Sequence, residues 1–142
     1  MFSTFFQKTI QKINFENLQS ALKNQNPIQN PNCIISTLPI AEQDCLIKST
    51  LPYDMEEKTI NGLLSDYDFT SKTFIIYGKN TNDETAEKKY HQIVALGFHN
   101  VYLYPGGLFE WMLLQDIYGH DEFPTTKKVL DLLKFRPKKA NI

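Results

Sequence analysis

The sequence predicts an α/β fold, a mostly parallel central sheet of about five strands flanked by helices on both faces. Three observations carry that expectation. Thr73-Phe74-Ile75-Ile76-Tyr77 is a short β-branched and aromatic run of the kind that fills a strand buried on both faces. Ala86, Tyr90, Ile93, Val94 and Gly97 then fall at i, i+4, i+7, i+8 and i+11, one stripe of a helix. Val101-Tyr102-Leu103-Tyr104 follows as a second strand, closed by Pro105-Gly106-Gly107. Strand, helix and strand in this order make a parallel βαβ unit. Helices and strands alternate along the rest of the chain, so the sheet is covered on both sides.

Taken in order, Phe2, Phe5, Phe6 and Ile10 recur at near-helical spacing and predict an amino-terminal cap over residues 1–11. Ile13 is placed in a brief edge strand, and Asn14 caps a helix through Leu18, Ala21 and Leu22. Residues 24–32 form a polar loop with two prolines. Cys33-Ile34-Ile35-Ser36-Thr37 is a buried strand ended by Pro39. One helical turn at residues 41–44 leads to Cys45-Leu46-Ile47, a short strand. Asp54 opens the next helix, with Glu57 completing a capping-box-like pair and Met55, Thr59, Ile60, Leu63 and Leu64 facing inward. Gly97 ends the helix of the βαβ unit as its left-handed cap. After Gly107, the residues Leu108, Trp111, Met112 and Gln115 mark a helix that runs out by Gly119. Pro124-Thr125-Thr126 starts a last helix with Val129, Leu130, Leu132 and Leu133 inward, and residues 136–139 form a basic tail.

At 142 residues, the chain reads as one domain with enough length to bury its own core. A 42% hydrophobic and 22% charged composition is ordinary for a globular protein. The net charge of -1, without a basic stripe interleaved with aromatics, argues against nucleic acid. No apolar run reaches the roughly 20 residues that span a bilayer, so no membrane partner is expected. The amino terminus has no basic region ahead of an apolar core, and the expected location is the cytoplasm. Cys33 and Cys45 make no disulfide framework and read as free thiols.

The loop after Tyr77 sits at the carboxyl end of a central strand and the amino end of a helix, where open α/β sheets place their sites. It holds Gly78, Lys79, Asn80, Thr81, Asn82 and Asp83. Its unpaired amides with Lys79 and Asn80 offer a place for a small anion. An ordinary capped turn, with Thr81 or Asn82 as the N-cap, explains the same residues. A nucleotide-binding loop is rejected, since the upstream glycine is absent and no Ser or Thr follows the lysine. Gly106 and Gly107 permit a tight strand-to-helix turn on the same edge of the sheet.

Several stretches resemble the rhodanese family, the sulfurtransferase fold shared with Cdc25-type phosphatases. Residues 13–18 resemble its opening strand and helix. Residues 45–50 stand where the family has Gly-His-Ile-Pro-Gly-Ala, keeping only Ile47. Phe74-Ile75-Ile76-Tyr77 resembles the strand that delivers the catalytic cysteine. Gly97-Phe98-His99-Asn100-Val101, then Gly106-Gly107 and Trp111, resembles the family's Gly-Phe-x-x-Val strand, its Gly-Gly turn and the tryptophan beyond. The resemblance implies a cysteine directly after the delivering strand; this sequence has Gly78. The family's Asp and Arg fall near Ser36 and Leu38, and Asp83 and Glu84 stand where active members often carry Arg or Lys. The expectation is therefore a rhodanese fold without its catalysis: a binding or regulatory module with a protein partner and no cofactor.

The alternative is a divergent sulfurtransferase or phosphatase-like enzyme using a displaced cysteine, for which Cys45 is the one candidate; its apolar neighbours Leu46 and Ile47 suit an inert buried thiol better. A third possibility is self-association through the Phe-rich segment or the last helix. His120-Asp121-Glu122 with Asp116 fits no common metal spacing, and His91 and His99 have no evident partner for base catalysis. Trp111 reads as the core anchor of its helix.

Overall fold

A computed structural model describes residues 9–24 and 31–142. The expected cap residues Phe2, Phe5 and Phe6 and most of the 24–32 loop lie outside the described residues. Three strands form one parallel sheet in the order β1 (Asn32–Ser36), β2 (Thr73–Tyr77), β3 (Val101–Tyr104). In register, Ile34 faces Ile75 and Ile75 faces Tyr102. Two cores result from the two-residue alternation of strand side chains. On one face Ile34, Ile75, Tyr77 and Tyr104 pack against helices α1 (Phe15–Lys23) and α4 (Gly107–Tyr118). On the other, Ile35, Phe74, Ile76 and Val101 pack against α2 (Tyr53–Ser65) and α3 (Glu84–Ala95).

Three strands, not five, are present among the described residues. The expected strand around Ile13 exists only as a single bridge at one edge of the sheet, and Cys45-Leu46-Ile47 does not join the sheet, the bridge at the other edge falling at Thr50. Lys12 bridges Leu103, and Thr50 bridges Ile34, both in the parallel sense. Neither ladder can lengthen. Asn14 turns the chain straight into α1 through a capping box with Asn17. At the other edge Leu51 N–H donates to Ile34 O, after which Pro52 has no N–H and α2 begins.

Two helix expectations need correction. α2 starts at Tyr53 behind Pro52, without the side-chain cap expected from Asp54 and Glu57. Met55 stays exposed, and Ile60, Leu63 and Leu64 alone supply the apolar contact. The last helix does not form. Residues 124–126 instead run extended beside residues 46–48: Lys48 N–H donates to Pro124 O, Thr126 N–H to Leu46 O, and Ile47 bridges Thr125 in the antiparallel sense. Beyond them the chain is an irregular strap with one 3-10 turn, Leu132–Phe135. Leu130 and Leu133 face solvent rather than the core, while Phe135 is the buried anchor.

The residues around Trp111 hold α4 in place. Its indole N–H donates to Pro124 O (3.1 Å), and its ring meets Phe123 and Tyr104 edge-on. No helix among the described residues is long and apolar enough to cross a membrane.

Candidate functional site

β2 delivers its last residue, Tyr77, into the core and then turns at Gly78, which is itself buried. The loop that follows closes on itself. Asp83, not Thr81 or Asn82, is the N-cap of α3, and its Oδ1 accepts from Thr85 N–H (3.0 Å). Its other oxygen points back across the loop, where Oδ2 accepts from the Lys79 amide (2.8 Å). A Cβ built on Gly78 would lie 2.6 Å from that Oδ2 and 2.9 Å from Asp83 Cγ. The carboxylate thus fills the space in front of position 78. Asn80 accepts from Asn82 N–H through Oδ1 (2.9 Å) and donates from Nδ2 to Phe135 O (2.9 Å), joining the loop to the carboxyl strap. Lys79 Nζ pairs with Glu42 Oε1 at 2.9 Å, both half-buried to exposed, so the pair tethers the loop more than it stabilises it.

The Gly106-Gly107 turn backs the loop. Leu108 N–H donates to Gly78 O and Phe109 N–H to Lys79 O, both at 2.9 Å. The first free amides of α4 therefore hold loop carbonyls. Gly107 has φ +69°, and a Cβ there would meet Gly78 O at 2.7 Å and Asn80 N at 2.9 Å. The Glu110 carboxylate occupies the side of Gly106 and accepts from the Tyr104 hydroxyl (2.7 Å).

Between Lys12, Gly78, Asn80, Asp83, Glu87 and Pro105 a cavity of about 110 Å³ remains. Its lining charges are one ammonium against two carboxylates, a poor match for an anion. A wider groove of about 440 Å³ opens between the carboxyl end of β1 and helices α2 and α3, bounded by Thr37, Leu38, Tyr53, Thr85 and Lys88. Ser36 and Leu38, expected from the resemblance to the rhodanese family near the place of a charged pair, line this groove. Both are buried, and Ser36 Oγ accepts from Leu38 N–H (3.1 Å).

Cys45 is fully buried in the core and does not line the small cavity beside Gly78. Its thiol donates to Lys127 O (3.3 Å) and lies 4.0 Å from Met112 Sδ. Burial raises its pKa, as it does that of Cys33 on the opposite face of the sheet. His91 and His99 are exposed, and His120 Nε2 sits 3.2 Å from Thr125 O. Among the described residues no group of His, Cys, Asp or Glu is arranged to hold a metal ion.

One structural link has no local signal in the sequence. The Tyr77 hydroxyl, fully buried, accepts from Ile47 N–H (3.1 Å) and lies 2.7 Å from Thr50 Oγ1, which in turn donates to Ile47 O. It therefore anchors the 45–50 segment under the loop. Burial pushes the pKa of Tyr77 up, and burial with the Glu110 carboxylate does the same for Tyr104. A raised folded-state value means that the neutral phenol favours the fold. That contribution is complete below the ordinary tyrosine value of 10.0 and is lost as pH rises beyond it. The buried thiols, with ordinary values of 9.0, act in the same direction. The urea midpoint should fall from about pH 9 upward and more steeply past 10. Tyr77→Phe should flatten the second part of that slope; an unchanged slope would place the effect elsewhere.

A family profile described as a Rhodanese-like domain matches residues 20–114. No curated protein matches the sequence significantly. Solved structures resemble it in fold. The Alr3790 protein from Anabaena sp. shares 19% identity over 86% of this chain and 97% of its own, with a TM-score of 0.56. Ygr203w, a yeast protein tyrosine phosphatase of the Rhodanese family, shares 14% over 88% and 97%, with a TM-score of 0.59. The As-Sb reductase from Leishmania major shares 16% over 78% and 82%, with a TM-score of 0.54. At these identities the likeness establishes the fold and no more.

Proposed function

The chain belongs to the rhodanese-like domain family, and from that premise we propose that it is a non-catalytic member working as a binding or regulatory module. One observation carries the reading: the loop that would present a nucleophile and receive an anion is filled from within. Gly78 has no side chain to react, and Asp83 both occupies the space before it and takes the Lys79 amide. Sulfur or phosphoryl transfer in such a cradle needs a thiolate flanked by free amides. Position 78 supplies no thiol, and the Lys79 amide beside it is already taken by Asp83. The two carboxylates lining the small cavity disfavour an anionic ligand as well.

A thiol-dependent enzyme, sulfurtransferase or phosphatase-like, is the second reading, and Cys45 would have to carry it. Its burial and its hydrogen bond to Lys127 O oppose this. The partner expected for the module is a protein that reads the exposed rim of the loop, Thr81, Asn82 and Glu84, and the two buried free thiols suit a reducing compartment such as the cytoplasm.

The test compares the wild-type protein with Cys45→Ser in thiosulfate:cyanide sulfurtransferase and aryl phosphate hydrolysis assays. No turnover above buffer is expected from either protein. Cys45 should react with a thiol reagent at least ~100-fold more slowly in the native protein than after unfolding. Turnover abolished by Cys45→Ser would overturn the proposal. For the module itself, a partner captured by the wild-type chain should be released by Thr81→Lys with Asn82→Lys.

A further inference from the structure

The overall charge of -1 conceals a segregation. Of fifteen Lys and Arg residues, six fall within residues 127–139, against one carboxylate, Asp131. Residues 1–126 hold the other nine with fifteen carboxylates. The structure gathers the six onto the strap, every one of them exposed. Lys127 approaches Asp44 at 3.9 Å, with both side chains largely in water. Among the described residues no carboxylate pairs with Lys128, Lys134, Arg136, Lys138 or Lys139. Leu130 and Leu133 lie between these cations, 96% and 53% exposed.

This strap is not a free tail. Val129 and Leu132 pack partly into the core, Phe135 is buried, and Asn80 holds the Phe135 carbonyl. The cations and leucines are thus displayed on an anchored segment, which lowers the ordering entropy lost on docking.

We propose that residues 127–139 are a docking surface for an anionic lipid bilayer. Clustered cations are attracted to the surface potential of acidic headgroups, and apolar side chains between them enter the headgroup boundary. The leucines decide among polyanions. Nucleic acid is gripped by cations with exposed aromatic platforms, and the strap's one aromatic ring is buried. An acidic protein segment would match the cations but leave Leu130 without a role. The inference is independent of whether the loop at residues 78–83 is catalytic.

The test is cosedimentation of the full chain with phosphatidylcholine vesicles, with or without phosphatidylserine. Binding should require phosphatidylserine and be lost at high salt. The triple variant Lys128→Glu, Lys138→Glu, Lys139→Glu should bind at least ~10-fold more weakly, with an unchanged urea midpoint because the three side chains are exposed. Leu130→Ser with Leu133→Ser should weaken binding several-fold while keeping its salt dependence. Equal binding to vesicles without phosphatidylserine, no binding at low salt, or undiminished binding by the triple variant would overturn the proposal. So would tighter binding to a single-stranded oligonucleotide than to the acidic vesicles.

Discussion

Gly107→Ala should lower the stability of the folded protein by about 2–5 kcal/mol, a large part of what a domain of this size has. Two effects add. An L-residue at φ +69° costs roughly 1–2 kcal/mol, and a methyl forced against backbone costs roughly another 1–3. The atoms it would strike, Gly78 O and Asn80 N, cannot rotate aside as a side-chain tip can. Moving them would also break the hydrogen bonds from Leu108 and Phe109 that hold the loop. Two other glycines are built-in controls. Gly119→Ala meets no neighbour within 4 Å but sits at φ +100°, so it should cost only the conformational part. Gly62, inside α2 with open space around it, should gain about 0.5–1 kcal/mol as alanine. Urea titrations of the three variants rank them directly. A Gly107→Ala midpoint close to the wild type would show that the loop and turn are not packed as described.

Gly78→Cys by itself should not yield a reactive thiol. The new Cβ would sit 2.6 Å from Asp83 Oδ2, so the carboxylate must swing away and give up both the Lys79 amide and the cap of α3. The expected loss is about 1–3 kcal/mol. A thiolate beside a carboxylate is also disfavoured, which leaves the cysteine protonated and slow. Asp83→Ser changes that outcome. Serine caps a helix about as well as aspartate, is shorter, and carries no charge. Gly78→Cys with Asp83→Ser should therefore be more stable than the sum of the two single changes by about 1–2 kcal/mol, a double-mutant coupling readable by urea titration. Its thiol should alkylate at least ~10-fold faster at neutral pH than that of Gly78→Cys alone. If Gly78→Cys by itself is fully stable and already reacts as an acidic thiol, Asp83 does not obstruct the cradle.

Both experiments turn on atoms that no local pattern announces. Asp83 in the sequence is one more capping residue in a polar turn, and Thr81 and Asn82 are equally good candidates by type. Only the path of the loop, fixed by Gly107 and the first amides of α4, aims Oδ2 back at position 78. Phe135 was hidden for a related reason. Apolar residues at 129, 130, 132 and 133 fit a helical stripe, but residues 124–126 had already found partners in residues 46–48. The following strap then buried Phe135 and left Leu130 in water. The sheet's edges were misjudged because strand length there depends on where a neighbouring chain turns away, at Asn14 and at Pro52.

The sequence by itself determined the βαβ centre, the two-sided burial of the sheet and the Gly-Gly turn. Strands covered on both faces must be continuously apolar, and a helix between them must carry one apolar stripe, so those features are written in local spacing. The tertiary structure alone decided which polar atoms meet across the loop, how far the edge strands extend, and where the basic segment comes to rest. Those depend on contacts between residues far apart in the chain, and no spacing rule encodes them.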